Sequence, residues 1–501
     1  MKKILCLMLS ILLVLGLLAC SSSESSAEGT ADSSAVEATT ESTESTIPDD
    51  RPQLAGFQVG FSRKSIMPQQ LGVQIAGGDA SARLSDGALD EVCTTCIAIS
   101  MDGEIYLVYT MDFMVLNSSS VAAIKPSIVE ATGIPEERIL LNCTHTHSGV
   151  NILSTNWDGA DAYRTLVAKN SAKAAQSAIK DLSPAEISIG STHTEGIAFV
   201  RHYLMNDGTT CGNGHGSTAS GYKDNMYPAA NEVQAIKFTR ADEDKKDIIL
   251  MSFPAHATTI NGVDANKISA CYPGQTRLYI EEHADVHCAF FQGASGDQVP
   301  DSRINGVSAA KKDYKKYAQI LGDYVLGLTY ESVGNDKVVM QSWEYTGKSM
   351  KEGIEDAERM KQAAEVKAAS GQFGSSHANT QALVSKYGFP SVYEATGLID
   401  RQNAPETRTM TLNVMQLGDE CSLVFAPYEM FGMHGEAIKE GSPFKMDMII
   451  TCSEVYMGYL PHIEGCEHSF YEYDVTKFER GTGEILAEQY AEVLTELKNA
   501  G

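Results

Sequence analysis

Two histidines one residue apart, His145 and His147, close an apolar run in the stretch Leu140 to Val150, LLNCTHTHSGV. Side chains alternate across a strand, so a strand over 138–144 should send both imidazoles to one face. Two imidazoles on one face, at the end of a buried strand, suit a metal site or an acid–base pair. The plainer alternative is two solvated histidines at a loop entrance. Other short apolar runs end the same way: IILMSFPA ends in His256, LVFAPY in Glu429, MIITCSEVYMG in Tyr459, and CAFFQGAS in Gly296-Asp297. Ligands of open α/β sheets sit beyond the carboxyl ends of strands, so these endings are expected to converge. Taken singly, His256 reads equally as a core histidine, Glu429 as an acid at a helix N-terminus, and Tyr459 as packing. Taken together, two histidines and a carboxylate are ordinary ligands of a hydrolytic zinc that keeps one position open for water.

The elements that must position these groups follow from periodicity. Residues 54–62, 92–100 and 105–113 read as strands, the last two joined by the turn Asp102-Gly103. Val121, Ile124, Ile128 and Val129 share one helical face over 119–132, and Gly133 suits the C-cap. With the strand 138–144 this makes a βαβ unit of a parallel or mixed sheet. Helices are expected over 162–179, 309–328, 354–369 and 483–499. Long loops are expected over 205–227, above the site, and over 371–380. The expected fold class is α/β: one large domain over 53–501, with mixed β-sheets flanked by helices and the site at the carboxyl ends of strands.

The chain has 501 residues and a formal net charge of -26, which argues against a nucleic-acid partner. Lys2 and Lys3 precede an apolar run to Ala19, a secretory signal in type. Leu17-Leu18-Ala19-Cys20 resembles a bacterial lipobox, so 1–19 is expected to be removed and Cys20 to be lipidated and held at a membrane. The stretch 20–52, rich in Ser, Thr and Glu, cannot bury a core and reads as a tether. Cys93 and Cys96 form a lone C-x-x-C within a strand, which suits buried thiols or one local disulfide better than a redox site.

With these residues in hand, the mature chain resembles the neutral/alkaline, non-lysosomal ceramidases in their N-terminal catalytic domain. The resemblance runs from about Gly56 onward through VGFSRKSIMP, CTHTHSGVN, FPAHATT, NKISACYPG, APYEM, VYMGYLP and SFYEY. It implies a zinc-dependent hydrolase of N-acyl amides, with His145, His256, Glu429 and Tyr459 as metal ligands. It places His147 and Tyr471 at the scissile amide or its oxyanion, Arg201 of FVRHY in a substrate-contacting segment, and Asp297 among the catalytic groups. In that mechanism zinc lowers the pKa of a water towards about 7 and the hydroxide attacks the carbonyl carbon. The leaving amine then takes a proton from His147 or water. The implied substrate is ceramide or another N-acyl lipid. The alternatives are a non-lipid amide, or a tethered binding lipoprotein without turnover. Three departures stand out. Val299 occupies the place of the family's serine in the stretch GDQVPD, Cys271 replaces an acid in NKISACYPG, and the family's C-terminal immunoglobulin-like domain is expected to be missing.

Overall fold

The computed structural model describes residues 55–77, 83–155, 157–212, 221–260, 264–300, 313–467 and 470–500. The signal-like segment 1–19, Cys20, the whole of the 20–52 tether and residues 53–54 at the start of the domain therefore lie outside the described residues.

The larger sheet has nine strands: β1 (Phe57–Ser65), β2 (Cys93–Met101), β3 (Glu104–Met111), β4 (Ile139–Cys143), β5 (Ser183–His193), β6 (Glu232–Arg240), β7 (Asp247–Phe253), β8 (Val286–Gln292) and β9 (Glu331–Val333). Its order is β8-β7-β6-β5-β1-β2-β3-β4, with β9 on β5. The pairs β3/β4 and β7/β8 are parallel, whereas β1/β2, β2/β3 and β6/β7 are antiparallel. The turn between β2 and β3 takes φ 49° at Asp102 and 87° at Gly103, the double left-handed turn that matches strand twist in a two-residue hairpin. A second, four-stranded sheet comprises β10 (Val338–Lys348), β11 (Thr407–Leu417), β12 (Cys421–Phe425) and β13 (Met446–Ile450), in that order, with β12/β13 parallel.

Strand alternation builds the layers. On β3, Leu107, Tyr109 and Met111 face the helices α1 (Ser118–Thr132) and α2 (Ala160–Lys180), while Val108 faces the second sheet. On β11, Met415 and Leu417 meet the larger sheet, and Leu412 and Val414 meet the closing helix. Helices α3 (Cys271–His283) and α4 (Tyr314–Leu326) cover β6, β7 and β8. The chain is thus a helix–sheet–sheet–helix stack. Gly60 admits helix α2 to the sheet, since a Cβ there would lie 2.1 Å from the Ala178 carbonyl oxygen. A buried bidentate pair, Arg277 on Asp112 at 2.8 and 2.6 Å, ties α3 to the end of β3.

The hairpin β10/β11 does not close with a turn. It carries an insertion over 349–406 with helices α5 (Ala357–Phe373), α6 (Ala378–Lys386) and α7 (Val392–Asn403), which have a core of their own around Ala363, Val366 and Leu398. After β13 come a short helix α9 (Tyr471–Asp474) and the closing helix α10 (Thr482–Asn499), while α8 (Gly432–Gly441) follows β12.

The expected α/β class, the βαβ unit and the placement of strand ends hold. Two expectations are corrected. The polar stretch 371–380 is not one loop: α5 runs to Phe373 and α6 starts at Ala378, whose His377 cap accepts from the Asn379 N–H. The 205–227 stretch carries strands at Thr210–Gly212 and Tyr222–Asn225. Helix α3 carries Pro273 and Gly274 in its first turn, a loop-like pair in sequence, although proline is tolerated there. Cys93 and Cys96 are free and buried, and burial pushes both thiols up to about 12, which removes thiolate chemistry. Among the described residues, no helix is long and apolar enough to cross a membrane.

Candidate metal centre

The carboxyl ends of β4, β7, β8, β12 and β13 meet. Thr451, after β13, donates its N–H to Gln292 O at 2.8 Å, and Ser453 bridges to Asn142 of β4. His145, His256 and Glu429 follow the ends of β4, β7 and β12 within a few residues, and Tyr459 follows β13 after a longer turn.

His145 does not sit on a continuing strand. Strand β4 ends at Cys143, and His145 takes a left-handed backbone with φ 60°. Cys452 (φ 56°) and Glu454 (φ 52°), across from it, do the same. Such a conformation costs a non-glycine residue about 1–2 kcal/mol, and observed strain of this kind marks functional sites. It turns the His145 ring inward, with His145 Nε2 3.2 Å from His147 Nε2. The two imidazoles therefore share a face, as expected, but through this turn rather than through strand pleating.

Backbone carbonyls fix both ligand histidines. His145 Nδ1 lies 2.9 Å from Met114 O, and His256 Nδ1 lies 2.7 Å from Ser295 O. A carbonyl only accepts, so each Nδ1 carries the proton and each Nε2 is left to bind a cation. Both Nε2 atoms face one oxygen, Glu429 Oε2, at 3.2 Å from His145 and 3.0 Å from His256. Despite these short approaches, Oε2 is buried without a hydrogen-bond partner. Glu429 Oε1 accepts from the Tyr456 hydroxyl at 2.6 Å, which orients the carboxylate. The Tyr459 hydroxyl completes the group at 3.2 Å from His256 Nε2. Tetrahedral zinc with bonds of about 2.0–2.2 Å separates its donors by roughly 3.3–3.6 Å. The observed spacings lie just inside that edge, and an unpartnered carboxylate oxygen between two imidazole lone pairs calls for a cation. The residues present fit a divalent metal. His147 adds a further nitrogen: the three histidines offer ligand atoms within 4.8 Å of one another.

The electrostatics agree. Burial opposes the Glu429 charge, but His145 and His256 outweigh it and hold the carboxyl well below its usual range. Burial, then the charges of His145 and His256, push His147 well below its usual value, so it is neutral near pH 7. For His145, burial is outweighed by Cys452 and Glu429, and the pKa rises. A metal bound here would displace a proton between His145 and Glu429, so its affinity would fall as the pH is lowered. Burial and then Glu429 push the Tyr459 phenol up.

The other expected residues fall around this group. Arg201 is buried. Its Nη2 donates to Gly296 O at 2.6 Å, forms an ion pair with Glu472 Oε1 at 2.6 Å, and lies 3.5 Å from the Tyr459 hydroxyl. It sits behind Tyr459, in a buried ion-pair network that His202 joins through Glu472 Oε2 at 2.8 Å. Tyr471 packs edge-on to Tyr459 with ring centroids 5.7 Å apart, half-buried at the rim. The carboxylate of Asp297 is turned to the first N–H of α8, accepting from Gly432 N at 2.8 Å. That is a helix-capping position rather than a contact with the histidines. Val299 is buried, paired in a two-residue strand with Phe199, and supplies no hydroxyl. Ser295 contributes its carbonyl to His256, as above. Cys271 remains a thiol, pushed up to about 11 by burial, 2.8 Å from Thr259 Oγ1. Residue spacing had not pointed to Tyr456, Glu472, His202 or the Met114 carbonyl. Only the doubled tyrosine of VYMGY and the pair Tyr471-Glu472 hinted at them.

No protein-family model and no curated protein sequence matches the chain. Solved structures do. A ceramidase complexed with C2 superposes with TM-score 0.65 at 14% identity, covering 89% of this chain and 76% of that one. The neutral ceramidase from Pseudomonas aeruginosa superposes with TM-score 0.62 at 16% identity, covering 89% and 75%. The chain has the neutral ceramidase fold.

Proposed function

We propose that the protein is a zinc-dependent amide hydrolase of neutral ceramidase type, cleaving the N-acyl bond of ceramide or a related N-acyl lipid. The single observation that carries this reading is the convergence of His145 Nε2, His256 Nε2 and the Tyr459 hydroxyl on and around the unpartnered Glu429 Oε2. The ceramidase fold of the neighbours supports the substrate class.

His145, His256, Glu429 and Tyr459 would hold the metal. When bound, it supplies the Lewis acidity that makes water nucleophilic near neutral pH and polarises a carbonyl. The Met114 and Ser295 carbonyls lock the imidazole tautomers, and Tyr456 aims the carboxylate. His147, neutral and half-buried beside His145, would take a proton from the attacking water and pass it to the leaving amine. Tyr471 donates its hydroxyl to the developing oxyanion. Arg201, fixed by Glu472 and Gly296, is a positioning residue for Tyr459. A water activated at a metal needs no serine, so Val299 is compatible with turnover. Lipidation of Cys20 would hold this site at a membrane surface, where N-acyl lipids reside.

A fluorescent N-acylsphingosine and a short-chain soluble N-acyl amide, assayed side by side with metal content, test the reading. Metal-dependent cleavage of the lipid supports it. Metal-dependent cleavage of the soluble amide alone transfers the site to non-lipid substrates. Stoichiometric metal without any cleavage leaves a binding protein.

A further inference from the structure

A second set of metal-ligating side chains lies outside the group just described. His434 in the first turn of α8, His462 ahead of the turn Ile463–Glu467, and Glu484 in the first turn of α10 meet on the far side of Phe431. His434 is 2% exposed, yet neither of its ring nitrogens has a hydrogen-bond partner. Neutral imidazole has one donor and one acceptor to satisfy, and burying both unpartnered is unfavourable. Glu484 Oε2 is likewise buried without a partner, as is the hydroxyl of Tyr227, whose ring lies 5.7 Å from that of His462.

The donor atoms converge on one carboxylate. His434 Nε2 is 3.7 Å from Glu484 Oε1, and His462 Nε2 is 3.5 Å from the same oxygen. At 3.7 Å no hydrogen bond forms, so an ion pair alone leaves His434 unsatisfied at both nitrogens. The shorter distance falls within, and the longer just beyond, the roughly 3.3–3.6 Å that separates donors around a zinc-sized ion. Glu484 Oε1 also accepts from Ile463 N at 2.7 Å, which fixes the carboxylate. Gly483 makes room for the ring: a Cβ there would lie 2.2 Å from His434 Cε1. The side chains of His462 and Glu484 are 16% and 30% exposed, which gives an ion a way in from solvent.

We infer that His434, His462 and Glu484 form a second metal site that takes a divalent ion of the zinc or cobalt class and ties α8, the 462–467 segment and α10 together. Two imidazoles and one carboxylate select such ions over calcium and magnesium. The role is structural: the ion would brace the start of α8, five residues beyond Glu429.

The test is metal counting on the full chain, loaded with excess cobalt(II) and desalted, with the visible d–d spectrum as a second readout. Wild type should retain two equivalents. His434→Ala should retain one and keep amide cleavage. His145→Ala with His256→Ala should also retain one, without cleavage. His462→Asn and Glu484→Gln, at partly exposed positions, serve if His434→Ala does not fold, and each should shed the same equivalent. A wild type that holds one equivalent, or second-site variants that hold as much cobalt as wild type, overturns the inference. Neither result bears on the first site, which the other double variant reads separately.

Discussion

Two regions of this molecule gather the same residue types. One has His145, His256, Glu429 and Tyr459, and the other has His434, His462 and Glu484 with Tyr227 beside them. In the first, every donor is aimed by something else: Met114 and Ser295 carbonyls hold the imidazoles, Tyr456 holds the carboxylate, and Arg201 lies against the phenol. In the second, His434 has no partner at either nitrogen and the approaches to Glu484 widen from 3.0 and 3.2 Å to 3.5 and 3.7 Å. The first group stands at the ends of strands from both sheets, with half-buried His147 and Tyr471 beside it. The second is wedged between two helix starts. Composition alone does not make a reactive centre. A surrounding shell that fixes tautomer and direction separates a site built for chemistry from one suited to bracing.

The sharpest way to break this contrast is to remove the paired histidines from each region in turn. His145→Ala with His256→Ala should lower kcat/KM by about a thousandfold or more, since the metal supplies several kcal/mol of barrier reduction. His434→Ala with His462→Ala should leave kcat/KM within about twofold, as expected for separate sites. Comparable losses in both would erase the distinction. Next in size, Tyr471→Phe should lower kcat by about 10²–10³ with metal content unchanged, the effect of losing one oxyanion donor. A loss seen in KM alone would make Tyr471 a binding group instead.

The orienting shell is tested by two phenols. Tyr456→Phe removes the 2.6 Å hydrogen bond to Glu429 and should weaken metal affinity about 10–100-fold by competition with a chelator. Tyr227→Phe removes a hydroxyl without a partner and should change unfolding free energy by less than about 1 kcal/mol in urea titration.

The smallest effect concerns the helix that carries Tyr471. Burial, then the Glu394 charge, raises the Asp474 carboxyl to about 7; Glu472 adds to this, while Ser391 and Arg401 oppose it. A raised native pKa means the folded state binds the extra proton, so its contribution is present below about 4 and is lost as pH rises to about 7. The stability of wild type relative to Asp474→Asn should therefore decline across that window, with turnover at fixed metal unaffected. A pH-independent difference would show that Asp474 does not titrate there.

Much of this was legible in the residues. Alternation marked β1, apolar runs about the Asp102-Gly103 turn and at Ile139–Leu141 marked β2 to β4, helical spacing marked α1, and apolar runs with reactive endings led to the residues of the first group, because strands buried on both faces stop abruptly where the chain must turn. The motif likeness to ceramidases agreed with the fold. What spacing could not show was how the turns bend. Nothing in CTHTH announces a left-handed His145, and pleating gave the shared face for the wrong reason. Nothing in the spacing shows that Asp297 Oδ1 accepts from the first N–H of a helix that begins 135 residues later. His434 and Glu484 lie in amphipathic helices where each reads as an ordinary interior or surface residue. Their meeting depends on how α8 packs against α10, which is a tertiary fact.

Anomalous diffraction at the zinc absorption edge, from crystals of the zinc-loaded protein, tests the central claim most directly. The account predicts a peak about 2.0–2.2 Å from His145 Nε2, His256 Nε2 and Glu429 Oε2. A map with no anomalous density among those three side chains would contradict it.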